Sequence, residues 1–150
     1  MKARVLFATI TGNNEDVADE IIKTFQAKDV EVTKEDITNV DPFDINPEET
    51  DILVVVPYTF DKGSLPDEAL DFFEDLSDVD LSGIIFGVAG SGDTFYGKDF
   101  AVAVDKFETQ LLKTGAIKGA TGVHVNLSPN KSTKLQLAQF TEALIASAVK

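Results

Sequence analysis

Apolar positions recur along this chain with two different spacings. Val5-Leu6-Phe7-Ala8 is a short continuous run, and Val17, Ala18, Ile21, Ile22 and Phe25 then fall on one helical face. The pattern predicts a strand over Arg4–Ile10, a helix over about 14–28 and a strand over Val30–Ile37. It continues with a strand over Ile52–Tyr58, a helix over about 67–77 and a strand over Ile84–Ala89. A helix over about 99–114, a short strand near 120–126 and a helix from Ser132 to Val149 complete it. The segment Thr38–Thr50, rich in Asp and Asn and carrying two Pro, reads as a connection with one short helical turn.

The runs at Ile52–Val56 and Ile84–Phe86 are apolar throughout rather than alternating, as parallel strands covered on both faces should be. Leu137, Ala138, Thr141, Leu144, Ile145 and Ala148 give the last helix one stripe to lay on a sheet. Strands that alternate with helices imply right-handed crossovers and a doubly wound α/β sheet. At 150 residues, without repeats or linkers, residues 1–150 should form a single domain. Ligands of such folds bind at the carboxyl ends of the strands, where strand order reverses. The loops to inspect are therefore TITGNN (9–14), PYTFDKGSLPD (57–67) and AGSGDTFYGKDF (89–100).

Composition removes several chemistries. The chain has no Cys, so disulfides, thiolate nucleophiles and Cys-ligated clusters are excluded. His124 is the single His, which excludes a His-rich metal site, and it reads as a structural or surface residue of a strand. An apolar content of 43% suits a folded, soluble domain. No apolar run is long enough to cross a bilayer, and the one after Lys2 and Arg4 breaks at Thr9, too early for a secretory signal. A cytoplasmic monomer is expected. The net charge of −13 repels nucleic acid and anionic membranes. It attracts basic protein surfaces, although solubility alone would also account for it.

The first loop places small polar residues between a strand and a helix start. Its backbone N–H groups and side-chain donors converge at the positive end of the helix, where a phosphate fits. An ordinary helix start, capped by Asn13 or Asn14, is the simpler alternative. The loop has no Lys, so a nucleotide-hydrolysing P-loop is disfavoured, and no G-x-G-x-x-G follows the first strand. What remains is a neutral cradle that can hold a phosphate monoester without turning it over. The second loop brings Tyr58, Thr59 and Phe60, the third Gly90-Ser91-Gly92-Asp93 and Tyr96. Aromatics at loop tips often pack on a neighbouring element. Here two aromatic-bearing loops should flank one crevice and could sandwich a flat ring whose phosphate sits in the first loop. Ring, polar edge and phosphate monoester together describe FMN.

Over essentially its whole length the chain resembles the flavodoxins, in which the first loop reads (Ser/Thr)-x-Thr-Gly-Asn-Thr. The resemblance implies a five-stranded parallel sheet of order 2-1-3-4-5 with helices on both faces. It implies that Thr9, Ile10, Thr11, Gly12, Asn13 and Asn14 hold the FMN phosphate. Phe60 stands at the position of the inner aromatic and Tyr96 at that of the outer stacking Tyr. The backbone of Thr59, Ser91, Gly92 and Asp93 would meet the flavin edge, with Tyr58, Asp61, Gly63, Gly90 and Phe100 completing the site. The direct passage from the last strand to the last helix looks like the short-chain type.

The chain departs from the family in four places. Asn14 replaces the last Thr of the loop, exchanging a hydroxyl donor for an amide. Asp61 stands where the family usually has Gly, at a peptide that flips on one-electron reduction to favour flavin N5–H. Lys62 replaces an acid, and the Tyr96–Phe100 span is one residue longer than usual. The resemblance implies a low-potential carrier that moves one electron at a time through tightly bound FMN, without an acid or base of its own. Its partners would be basic surfaces of reductases or oxidoreductases. The acids of the 67–80 segment, from Asp67 to Asp80, are a candidate docking face; a solvated helix face is the simpler alternative.

Three other readings share the architecture. A flavodoxin-like activator of ribonucleotide reductase and a quinone reductase would also hold flavin. A response-regulator receiver domain needs acids at the end of the first strand, where this chain has Thr9-Ile10-Thr11.

Overall fold

The computed structural model describes residues 1–8, 13–57, 67–92, 102–126 and 129–149. Their elements, in chain order, are β1 (Lys2–Phe7), α1 (Asn13–Ala27), β2 (Glu31–Asp36) and β3 (Ile52–Val56). There follow α2 (Asp67–Asp75), β4 (Ile85–Gly92), α3 (Val102–Leu112), β5 (Ile117–Lys118), β6 (Val123–Asn126) and α4 (Lys131–Ala148). Every strand pairing is parallel, and the order β2-β1-β3-β4-β5 is the expected 2-1-3-4-5.

The expected fifth strand is two short strands rather than one. β5 pairs Ile117 and Lys118 with Ile85 and Phe86, and β6 pairs Val123–Asn126 with Ala89–Gly92. Residues 119–122 lie opposite only Gly87 and Val88 of β4, so the extra chain loops out and divides the strand. The other differences lie at element ends. β4 runs on to Gly92, three residues past the expected end at Ala89, because β6 pairs with it there. The 38–50 connection holds two 3-10 turns, Ile37–Asn39 and Pro42–Asp44, rather than one. The carboxylates of Asp36 and Asp41 cap them by accepting from the N–H groups of Thr38 and Phe43.

β3 and β4 are buried along their whole length, which is why their sequences do not alternate. Successive side chains go to opposite faces of the sheet. Leu6, Leu53, Val55, Phe86 and Val88 pack with Phe72, Leu76 and Phe107 on the α2–α3 side. Val5, Ile52, Val54, Val56 and Ala89 pack with Val17, Ile21, Phe25, Leu137 and Leu144 on the α1–α4 side. Each fully buried Phe, Leu or Ile is worth ~2 kcal/mol of apolar transfer, which anchors both layers.

α1 stops because Asp29 turns left-handed at φ 59°, letting the Val30 N–H reach back to the Phe25 carbonyl at 3.0 Å. α4 begins at a reciprocal cap, in which Asn130 and Thr133 each accept from the other's N–H. Its buried stripe takes in Leu137, Phe140, Thr141 and Leu144, so Phe140 joins the expected set, while Ile145 and Ala148 pack against it only partly buried and Ala138 stays outside it. Phe140 lies against Gly87 of β4, where a Cβ would come within 2.6 Å of the ring.

Candidate functional site

From β1 the chain crosses to one side to make β2 and to the other to make β3. The crevice at the carboxyl ends of β1 and β3 is therefore the reversal point of the sheet. Three loops leave that edge, after Ala8, after Pro57 and after Gly92. Thr9, Ile10, Thr11, Gly12, Tyr58, Thr59, Phe60, Asp61, Gly63, Asp93, Tyr96 and Phe100 belong to them and lie outside the described residues. So do Lys62 and the 97–99 stretch. What the structure describes is the frame from which those loops spring.

Asn14 is the centre of that frame. It is fully buried near the start of α1. Its Nδ2 donates to the Ala8 carbonyl at 2.5 Å and to the Val56 carbonyl at 2.7 Å. Its Oδ1 accepts from the Ser91 N–H and the Ser91 hydroxyl, both at 2.9 Å. A carboxamide has two donors and two acceptor lone pairs, and all four are used. The Ala8 N–H donates in turn to the Val56 carbonyl at 3.0 Å. One side chain thus ties the ends of β1, β3 and β4 together.

Both amide hydrogens of Asn14 are thus committed to carbonyls, and the Ser91 N–H is committed to Asn14. Nothing in the sequence near Asn14 announces this, because its partners lie 6, 42 and 77 residues away. The one available signal is a bulky amide at a position that the strand–turn–helix pattern buries.

Gly90 has a similar explanation. A Cβ there would strike the Pro57 carbonyl and come within 3.1 Å of Val104 Cγ2. The close approach allowed by Gly90 is therefore to the backbone after β3, next to where the second loop begins. Gly92 ends β4 opposite Asn126, and Asn13 is the first residue of α1.

The charges around α1 are arranged in pairs. Glu15 and Asp16 occupy its first turn, where the helix dipole favours them. Lys34 of β2 binds Glu15 at 2.6 Å and Asp19 at 2.9 Å, and lies 5.5 Å from the centre of the Phe7 ring. The hydrogen bond that Lys34 donates to Asp19, and then the one it donates to Glu15, raise its pKa. On the same strand, Glu35 accepts from Arg4 Nε and Nη2, both at 2.9 Å. The Arg4 guanidinium holds the Glu35 carboxyl below its ordinary range. His124 is exposed on β6, with Nε2 3.0 Å from Asp105 of α3. It is a surface strand residue, as its apolar neighbours suggested.

Comparison with known proteins gives one answer. The family described as flavodoxin matches residues 5–140. A protein of Bacillus subtilis (strain 168) named probable flavodoxin 2 is 33% identical over 139 residues, covering 93% of this chain and 91% of that one. A short-chain flavodoxin associated with a PDU bacterial microcompartment has a solved structure that superposes with a TM-score of 0.94. It is 42% identical and covers 99% of both chains. The flavodoxin of Streptococcus pneumonia TIGR4 gives a TM-score of 0.92 at 43% identity, over 98% of this chain and 99% of its own.

Proposed function

This chain belongs to the flavodoxin family, and from that premise we propose that it is a low-potential carrier that moves electrons one at a time. FMN is the cofactor of the family. The observation that carries the proposal is the strand edge at the reversal point. Three neighbouring strand ends are locked by Asn14, and the α1 N-terminus opens beside them.

The described residues fit FMN. Thr9-Ile10-Thr11-Gly12 join the end of β1 to the N-terminus of α1, and by residue type they bring hydroxyls and backbone N–H groups there. Lys34 pairs with the carboxylates of Glu15 and Asp19, and so offsets negative charge on the same helix. By resemblance Thr9, Thr11, Gly12 and Asn13 would hold the phosphate, while Phe60 and Tyr96 would flank the ring. FMN supplies the redox chemistry when bound.

The protein's part is to bind, to exclude water and to set the redox levels. Aromatic cover leaves added negative charge poorly solvated, and the acidic surface opposes it further. One carboxylate ~10 Å away costs about 0.4–1.7 kcal/mol as the effective dielectric falls from 80 to 20. At about 59 mV per 1.4 kcal/mol for one electron, several such groups lower the potential substantially. The same acids are available to a basic partner. Asp71, Glu74, Asp75, Asp78 and Asp80 are all exposed along α2 and the turns after it.

Titration of the flavin-free chain with FMN tests the reading. One FMN per chain, with loss of flavin fluorescence, is expected; absence of uptake would overturn it.

A further inference from the structure

The Asn14 hub has a consequence for the flavin ring, and it rests on the FMN reading above. We propose that Asn14 is a positioning residue for the ring, acting through the loops after β3 and β4, and is not a side-chain ligand of the phosphate. The family's first loop ends in a Thr, whose hydroxyl has one donor hydrogen and so could reach only one of the two carbonyls. Asn14 serves four atoms at the ends of three strands and keeps no amide hydrogen for a ligand. Two of those attachments lie next to the ring-bearing loops. The Val56 carbonyl is two residues before Tyr58, and Ser91 is two residues before Asp93.

Gly90 makes the fit between these strands close, since any Cβ there would strike the Pro57 carbonyl. A shift of β4 relative to β3 would either drive them together or pull Ser91 off Asn14. The bonds to Val56 and Ser91 therefore set the spacing of the β3 and β4 ends from which the two ring-bearing loops depart. The first loop leaves from Ala8, whose carbonyl the Asn14 side chain holds, and ends in the helix to which Asn14 itself belongs. Asn14 couples the phosphate end of the site to the ring end through the sheet.

The experiment uses two flavins, FMN and riboflavin, which share the ring and differ in the phosphate. Asn14→Thr restores the family residue. It should weaken both flavins by a similar factor of about ten or more, leaving the ratio of their Kd values near that of the parent chain. In the FMN-saturated variant the separation of the two one-electron potentials should change, which general destabilisation of the free chain would not produce. Ser91→Ala deletes one of the four bonds and should give the same pattern at smaller size, so the test survives if Asn14→Thr folds poorly. Weakening of FMN alone, with riboflavin and the potentials unchanged, would overturn the proposal and make Asn14 a phosphate ligand. Unchanged affinity for both flavins would overturn it too. A parent chain that takes up neither flavin would instead refute the FMN reading itself.

Discussion

Arg4 and Lys34 stand on neighbouring strands and displace two ionisations in opposite directions. The Arg4 guanidinium lowers the Glu35 pKa, so this pair stabilises the fold above the ordinary carboxylate range and is lost as pH falls through the lowered value. Asp19 and Glu15 raise the Lys34 pKa, so that pair is at full strength below the ordinary lysine range and is lost as pH rises through the raised value. Urea unfolding of Arg4→Gln should therefore show a deficit against the parent chain at neutral pH that narrows below about pH 4. A deficit independent of pH would contradict the assignment. Lys34→Gln should show the mirror image, narrowing only at strongly alkaline pH. Both effects are modest, because these pairs are partly exposed. At Asp61 the expectation is electronic. A flipped peptide favours positive φ, which costs an ordinary residue ~1–2 kcal/mol and Gly nothing. Asp61→Gly should raise the first one-electron potential, since the flip becomes easier and a negative charge leaves. A lowered potential would refute that account.

The elements themselves were legible because each strand and helix is specified by its own neighbours. Ile52–Val56 and the Val17–Phe25 stripe carry their partners' geometry in their spacing, and both stand where the pattern puts them. The division of the last strand was not legible. It depends on four residues facing two on β4, a register fixed by pairing rather than by local pattern. The buried bonds of Asn14 were not legible for the same reason, since its partners lie at the ends of three strands. Phe140 was missed because its seat is the empty space above Gly87, which only the packed sheet reveals. Gly87→Ala would put a Cβ 2.6 Å from Phe140 Cζ and 2.9 Å from Leu144 Cδ2. A cost of ~1–3 kcal/mol is expected from such overpacking, a Tm loss of roughly 5 °C in a chain of this size. Phe140→Leu in the same chain should recover part of it. A Tm equal to that of the parent chain would show that α4 can shift away freely.

The whole molecule carries a net charge of −13, and the described part of the 67–80 segment holds five exposed acids. Association with a basic redox partner should slow as salt is raised from ~0.01 to ~0.5 M, because the Debye length shrinks from about 30 Å to below 8 Å. On-rates indifferent to salt would leave the charge a solubility device. At this scale, too, the proposed function separates from the flavin enzymes that share its architecture. A carrier must hold an odd electron between encounters, which an enzyme passing electrons in pairs need not do. The decisive measurement is a redox titration of the FMN-loaded protein, followed by its absorbance. Two well-separated one-electron steps, the second far below the first, are predicted. A single two-electron transition would contradict the claim that this chain moves electrons one at a time.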